Sequence, residues 1–398
     1  MLETVCIEYV RAAPALHIWY THRMAGIMVI NKISKHWGGL LSLLRRHGHH
    51  ISLMMCLTGF VLDSTFLPSI DHIATQIISV CYFGIAIIAL FFSQAITTNK
   101  IRAPWLLLIS PLFPLIIQFV FGGLLSVVFV YYFRSASLSV SWPLILLLGA
   151  LMAGNELWRK RLEQLEFQVT VLFLLFLFFS IFTIPLFLGS IGTMTFLLSV
   201  LVSIGMLWLL LLLLSVVAFG ALKKKIYRLF LMPFFSALLV VGLYFANILP
   251  PIPLVTRADG VFHSLARNVS GEYVGSREDE TWRQRYFSLW YPPVYHRFPG
   301  ESIFFYSAVY APVQLHTPII HLWQYRDTAS GRWVDAVRVE FPMSGGREAG
   351  YRGYSEKQYA PAGSWRVLVE TVDGRTISRK KFVVVDVDSH ALTRQIAL

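Results

Sequence analysis

The sequence predicts an α-helical polytopic membrane region of about seven spans, followed by an all-β, sandwich-like (Ig-like) extracytoplasmic domain. Three observations carry that expectation. Only 14% of the 398 residues are charged and mean hydropathy is +0.61, against about 25% charge in an ordinary soluble protein. The charge is also unevenly divided: residues 1–250 hold 7 acidic and 16 basic residues, net +9, whereas residues 251–398 hold 15 and 18, net +3. Near residue 250 the hydrophobic pattern changes from long apolar runs to alternation.

Residues 1–50 form a basic segment expected on the cytoplasmic side. No compact apolar core with a small-residue cleavage site is present there, so no cleavable signal peptide is expected. Residues 1–23 differ in character from the rest, which leaves Met1 and Met24 both open as the translation start. A helix needs about 20 apolar residues to cross roughly 30 Å of hydrocarbon. Within 51–250, such runs occupy 51–68, 73–93, 105–133, 139–157, 167–189, 193–219 and 229–249. The third is long enough to tilt, or to hide a break near Pro111 and Pro114. Seven crossings gather 15 of the 16 basic residues on one side, among them Lys100, Arg159 to Arg161, Lys223 to Lys225 and Arg228. By the positive-inside rule the N-terminus is then inside, on the cytoplasmic face, and the C-terminal domain outside.

"ILPPIPL" (248–254) is a proline-stiffened exit; it leads into a linker (251–264), a β-domain (265–388) and a short tail (389–398). Runs such as "ESIFFYSAVY" (301–310), "IIHLWQY" (319–325), "RWVDAVRVEF" (332–341) and "SWRVLVET" (364–371) are rich in β-branched and aromatic residues. "VDGR" (372–375) places Asp373-Gly374 as a two-residue hairpin turn before "RTISRKKFVVV" (375–385). The three cysteines, Cys6, Cys56 and Cys81, all precede this domain, so no disulfide holds it. Its 22 aromatic residues must supply the core instead, each large side chain contributing about 1.5–3 kcal/mol on burial.

"HLWQY" (321–325), "GGREAGYRGYSEK" (345–357) and "GSWRVLVETVDGR" (363–375), ending in "KKFVV", occur in that order. The trio resembles the bacterial family catalogued as domain of unknown function 2914, including its version with several N-terminal spans and a "PPxPL" exit. The resemblance implies the two-part architecture and an envelope location, with the membrane a bacterial inner membrane and its outer side the periplasm. It implies no reaction and no catalytic residue.

Several function classes lose ground on the residues alone. The net charge of +12 is scattered between apolar segments rather than gathered on one face, which argues against nucleic acid. Ser355 has Lys357 two residues on, with His321 placed to lie across the sheet. That set lacks the strained elbow and the oxyanion hole of a hydrolase, so catalysis is not expected. His316 and His321 fall on opposite faces of a strand, and His263 and His296 have no partner at ligand spacing. No metal and no cofactor are therefore expected.

Binding remains. Arg347, Arg352, Arg366 and Lys357 offer cationic donors, and Trp323, Tyr351 and Tyr354 offer rings for stacking. Besides the lipid bilayer, the expected partner is an envelope protein or a glycan. The opposing reading makes the same residues framework, with Arg352 and Arg366 paired to Glu356 or Glu370. In the membrane, Asp63, Arg134, Asn155 and Glu156 are the polar candidates for a membrane-embedded enzyme or transporter acting on lipid-linked substrate. Each lies near a span end, and Glu156 with Lys160 is an ordinary i,i+4 pair.

Overall fold

A computed structural model describes residues 65, 72–101, 103–135, 138–157, 164–269, 272–286, 290–312, 315–346 and 349–398. Apart from Thr65, the first expected span and its Asp63 lie outside the described residues. The helical part comprises α1 (Ile73–Thr97), α2 (Pro104–Ile109), α3 (Phe113–Ser135), α4 (Leu138–Leu157), α5 (Leu165–Leu188) and α6 (Thr193–Phe245). Of these, α1, α3, α5 and α6 are long and apolar enough to cross a membrane, while the apolar run of α4 is the shorter Val140–Gly154. The expected span at 105–133 is broken. Pro104 opens α2 at a position where its missing N–H costs nothing, and Ser110–Leu112 is a 3-10 turn before α3 begins.

The expected span 193–219 and most of the expected span 229–249 fall within α6, which ends at Phe245. A straight helix of its 53 residues would run roughly 80 Å. Instead its ends touch: Phe196 and Tyr244 stack with centroids 3.5 Å apart, and the Tyr244 hydroxyl lies 3.3 Å from Thr193 Oγ1. Midway, Trp208 meets Phe230 at 5.7 Å. One residue, Ala218 (φ −130°, ψ 27°), leaves helical geometry. The chain therefore doubles back there into two antiparallel arms, and Lys223 to Lys225 are helical rather than a loop.

Contacts sort the helix ends into two sets. At one, Thr98 Oγ1 donates to the Val217 carbonyl (2.7 Å), and buried Glu166 takes Lys225 Nζ at 2.8 Å with Arg228 at 3.7 Å. At the other lie the Thr183–Gln76 hydrogen bond (3.1 Å) and the Tyr244–Thr193 contact. Between them the bundle is held by rings, with Phe83, Phe176, Phe179 and Phe182 in edge or tilted contact and Tyr132 against Phe178. In a bilayer, where lipid tails are as apolar as these side chains, close packing rather than water exclusion would hold such helices together.

The β-domain contains β1 (Val255–Phe262), β2 (Ser264–Arg267), β3 (Tyr273–Arg277), α7 (Trp282–Tyr286), β4 (Val294–Arg297), β5 (Ile303–Tyr310), β6 (Ile319–Arg326), β7 (Trp333–Phe341), β8 (Tyr351–Lys357), β9 (Gly363–Thr371), β10 (Thr376–Asp386) and β11 (Arg394–Ala397). One sheet has the order β1-β5-β8, a second β4-β10-β9-β6-β7, and a third β11-β3-β2. The first two share a core that joins Ile303, Phe305 and Val309 of β5 to Trp323, Trp365, Val367 and Phe382. Every pairing is antiparallel except β4 with β10. The region read as a linker thus contains β1, and the region read as a tail contains β11. In β1, "TRADG" interrupts the apolar alternation, and β11 has four residues only.

The β9–β10 hairpin is present, with a different turn from the one expected. Only Gly374 has positive φ (+74°), Gly374 N–H donates to the Thr371 carbonyl, and Thr371 N–H to the Arg375 carbonyl. This is a longer connection with one left-handed glycine, the bulged hairpin type. The turn seats the domain on the helices. Arg375, 5% exposed, lays its guanidinium 3.2 Å from the centre of the Tyr244 ring, whose other neighbour is Phe196. Arg375 also donates to the Tyr244 carbonyl at 3.5 Å. The domain accordingly sits at the helix ends opposite Lys225 and Glu166.

Candidate functional site

The motif that stood out in the sequence folds into a connection between sheets. Ser307 (β5) and Ser355 (β8) come from one sheet, His321 and Trp323 (β6) from the other. His321 Nε2 lies 2.7 Å from Ser307 Oγ and its Nδ1 3.0 Å from Ser355 Oγ, while the Trp323 indole N–H donates to Ser355 Oγ at 2.9 Å. One assignment satisfies all four groups: indole N–H to Ser355, Ser355 O–H to Nδ1, and Nε2–H to Ser307. His321 and Trp323 are wholly buried. Burial holds the imidazole down at a pKa of about 3, so it is neutral. The site has a serine and a histidine in contact, yet no substrate reaches them. It works as a latch.

The glycines beside it have steric reasons. Gly350 has φ +87°, and a side chain there would press on the backbone of Ala308 and Val309 at 3.1 Å. A Cβ at Gly345 would overlap the Pro312 carbonyl oxygen.

The remaining expected binding residues do not converge. Trp323 lies in the core and offers no stacking face. Arg347 lies outside the described residues. Tyr351 packs against the core, and Arg352 and Lys357 are half-buried on β8. Tyr354 is exposed, with its ring 5.9 Å from Tyr273. Arg366 is on the other sheet, where its guanidinium covers Trp333 at 4.3 Å and its Nε donates to Gln324 at 2.5 Å. Gln324 in turn donates to Asp335, so the partner of Arg366 is this cross-strand row rather than an ion pair with Glu370. Burial, then the charge of Arg379, lower the Arg366 pKa to about 10.

Among the membrane candidates, Arg134 occupies the last turn of α3 and is exposed. Asn155 and Glu156 fall in the last turn of α4. The interior polar group that sequence reasoning passed over is Glu166. Its partners are 59 and 62 residues away, beyond any local spacing signal.

A second missed constellation lines a pocket of about 200 Å³ between β3, β4, β10 and α7. His263 Nδ1 bonds Glu301 at 2.6 Å and its Nε2 bonds Glu278 at 3.0 Å, with the ring stacked on Tyr295 at 4.0 Å. The other oxygen of Glu278 takes His296 Nδ1 at 2.6 Å, and the His296 backbone N–H also donates to Glu278 at 2.7 Å. Burial opposes charge on both groups. For His263, the hydrogen bonds it donates to Glu278 and Glu301, with their negative charge, outweigh it and raise the pKa. For Glu278, bonds from His263 and His296 outweigh it and lower the pKa to about 2. These groups are engaged with one another, and among the described residues no set of three or more His, Cys, Asp or Glu is disposed to hold a metal ion. Asp279, Glu280, Gln284 and Lys380 complete the polar wall.

Residues 316–384 match the family described as Protein of unknown function (DUF2914). The match runs from before β6 into β10 and so takes in His321, Trp323 and Ser355, along with pocket-lining Lys380 and Phe382; the pocket residues His263, Glu278 and His296, and Glu301, which bonds His263, precede it. Nothing among curated proteins or solved structures matches the chain.

Proposed function

We propose that this is a seven-span protein of a bacterial inner membrane, N-terminus inside, that presents a periplasmic Ig-like sandwich as a non-catalytic recognition module for an envelope protein or glycan. One observation carries the reading. The β-domain sits on the helix ends that carry Tyr244 and Thr193, and the cationic ends with Lys225 and Arg228 lie at the far side of the bundle. Cations are retained on the cytoplasmic face, so the sandwich belongs on the other face. The doubling at Ala218 supports counting two crossings within α6.

The recognising surface is the pocket around Glu278 rather than the "GYRGYSEK" segment, whose serine and neighbouring core residues connect the sheets. Alkaline phosphatase fused after residue 390 is expected to be active, and an inactive fusion overturns the orientation. Crosslinking of the tagged protein in cells, followed by mass spectrometry, is expected to capture envelope proteins or glycans through the pocket face. If substitutions at Arg134, Asn155 and Glu156 abolish the cellular phenotype at normal protein level while pocket substitutions do not, the spans are the working part and the sandwich is an accessory.

A further inference from the structure

The geometry points to a saccharide site: the Glu278 pocket, with the aromatic cluster of α7 at its edge, accepts one ring of an uncharged, hydroxyl-rich glycan. The inference rests on the recognition reading above and names its ligand class. Four observations lead to it. The pocket volume of about 200 Å³ lies below the roughly 300–1,000 Å³ of drug-sized sites, which suits a single ring or a chain end. Its ionisable groups are engaged with one another: Glu278 bonds both His263 and His296, His263 also bonds Glu301, Glu280 lies 3.6 Å from Lys380, and Arg277 and Asp279 both line the wall. A polar wall whose charged groups already have partners discriminates by hydrogen bonding, and it offers a net anion or cation no ready counter-charge.

The third observation is exposed aromatic surface. Trp282, Trp290 and Tyr291 are 62%, 70% and 51% exposed, and the Arg283 guanidinium holds two of them together, 5.4 Å from Trp282 and 6.0 Å from Tyr291. Trp282 stands between two pocket-lining residues, Glu280 and Gln284, and the Thr281 N–H and hydroxyl both bond Gln284 Oε1 at 2.9 Å. Gln284 is thereby held with its amide N–H groups unclaimed by that contact. Exposed flat rings at Trp282 and Tyr291, each within two residues of a pocket-lining position, together with amide and carboxylate groups in the pocket wall, match the two faces of a sugar, apolar C–H on one side and hydroxyls at the rim. The fourth observation is position: Lys380, the partner of Glu280, lies five residues beyond Arg375 on β10, the strand that begins at the turn seated on Tyr244.

The test uses the full chain in lipid nanodiscs, labelled with 5-fluorotryptophan, with the Trp282 resonance assigned from Trp282→Phe. Chitotriose, maltotriose and mannotriose are titrated separately. At least one is expected to shift the Trp282 resonance saturably, and Trp282→Ala or Gln284→Ala to weaken its binding at least about tenfold, with the melting temperature unchanged. Tyr354→Ala, on the opposite sheet, is expected to leave binding intact. No binding by any of the three, or binding indifferent to both pocket substitutions, overturns the inference. Broadening of the Trp282 signal by a gadolinium-bearing lipid in the nanodisc also overturns it, making the cluster a membrane contact. Cellular crosslinks lost in Trp282→Ala without any saccharide binding retain the recognition reading and reject the glycan. Crosslinks indifferent to Trp282→Ala and Gln284→Ala reject both.

Discussion

The helical half and the β half bury polar groups by opposite rules. Through its middle the bundle packs ring against ring, from Phe83 and Phe179 to Phe182 and Tyr131, and its ion pair sits at an end, with Glu166 against Lys225. The β-domain places a hydrogen-bonded imidazole, an indole and two hydroxyls between its β1-β5-β8 and β4-β10-β9-β6-β7 sheets. The physical reason is what each half must specify. Helices satisfy their own backbone, so their partners need only fit. Two facing sheets can slide, and a directional network of fixed donors and acceptors selects one register.

That contrast can be broken in steps. Trp323→Ala removes a wholly buried ring and is expected to cost about 3–5 kcal/mol. Chemical denaturation followed by a β-domain probe should show the loss, with helical signal retained at the same denaturant concentration. Ser355→Ala leaves the indole N–H and His321 Nδ1 without their partner and is expected to cost about 1–3 kcal/mol for each stranded group. A loss no larger than at an exposed serine would remove the latch from the account.

Two histidines of the β-domain, His321 and His263, should respond to pH with opposite sign. His321 is held from 6.5 down to about 3 by burial, so the unfolded chain takes up a proton that the fold refuses. Stability then falls as pH drops from about 6.5 towards 3, by up to about 1.4 kcal/mol per pH unit. His263 is raised above 6.5, so its stabilisation is present below 6.5 and fades as pH rises through the raised value. Melting curves of His321→Gln and His263→Gln should flatten the acid and the alkaline limbs respectively.

Two smaller effects concern the ends of the bundle. Arg375→Ala removes a desolvated cation from the Tyr244 ring, worth about 2 kcal/mol, and should raise proteolytic cleavage near residues 250–254. Glu166→Gln is expected to cost under about 1 kcal/mol, since Lys225 is 42% exposed and its pairing is screened. A larger loss measured by thermal melting would show that the bundle, too, depends on a polar contact.

Much of the architecture was legible because period and composition change together near residue 250. The doubling within α6 was legible only as two apolar runs separated by lysines. The place where it turns was not, since Ala218 is an ordinary helix former and carries no breaker signal. His321, Trp323 and Ser355 drew notice as a pattern, but their partnership depends on two sheets facing each other, which alternation does not encode. The pocket stayed hidden because its residues His263, Glu278 and His296, and the His263 partner Glu301, come from four separate stretches spread over 38 positions. Each looked solitary by spacing.

The head is fastened twice. The covalent exit through Pro250 and Pro251 is one attachment, and the Arg375 turn against Tyr244 and Phe196, over a hundred residues later, is the other. Two anchorage points suppress swivelling, so a tug on the sandwich is carried as torque into both arms of the folded-back helix rather than through a single tether.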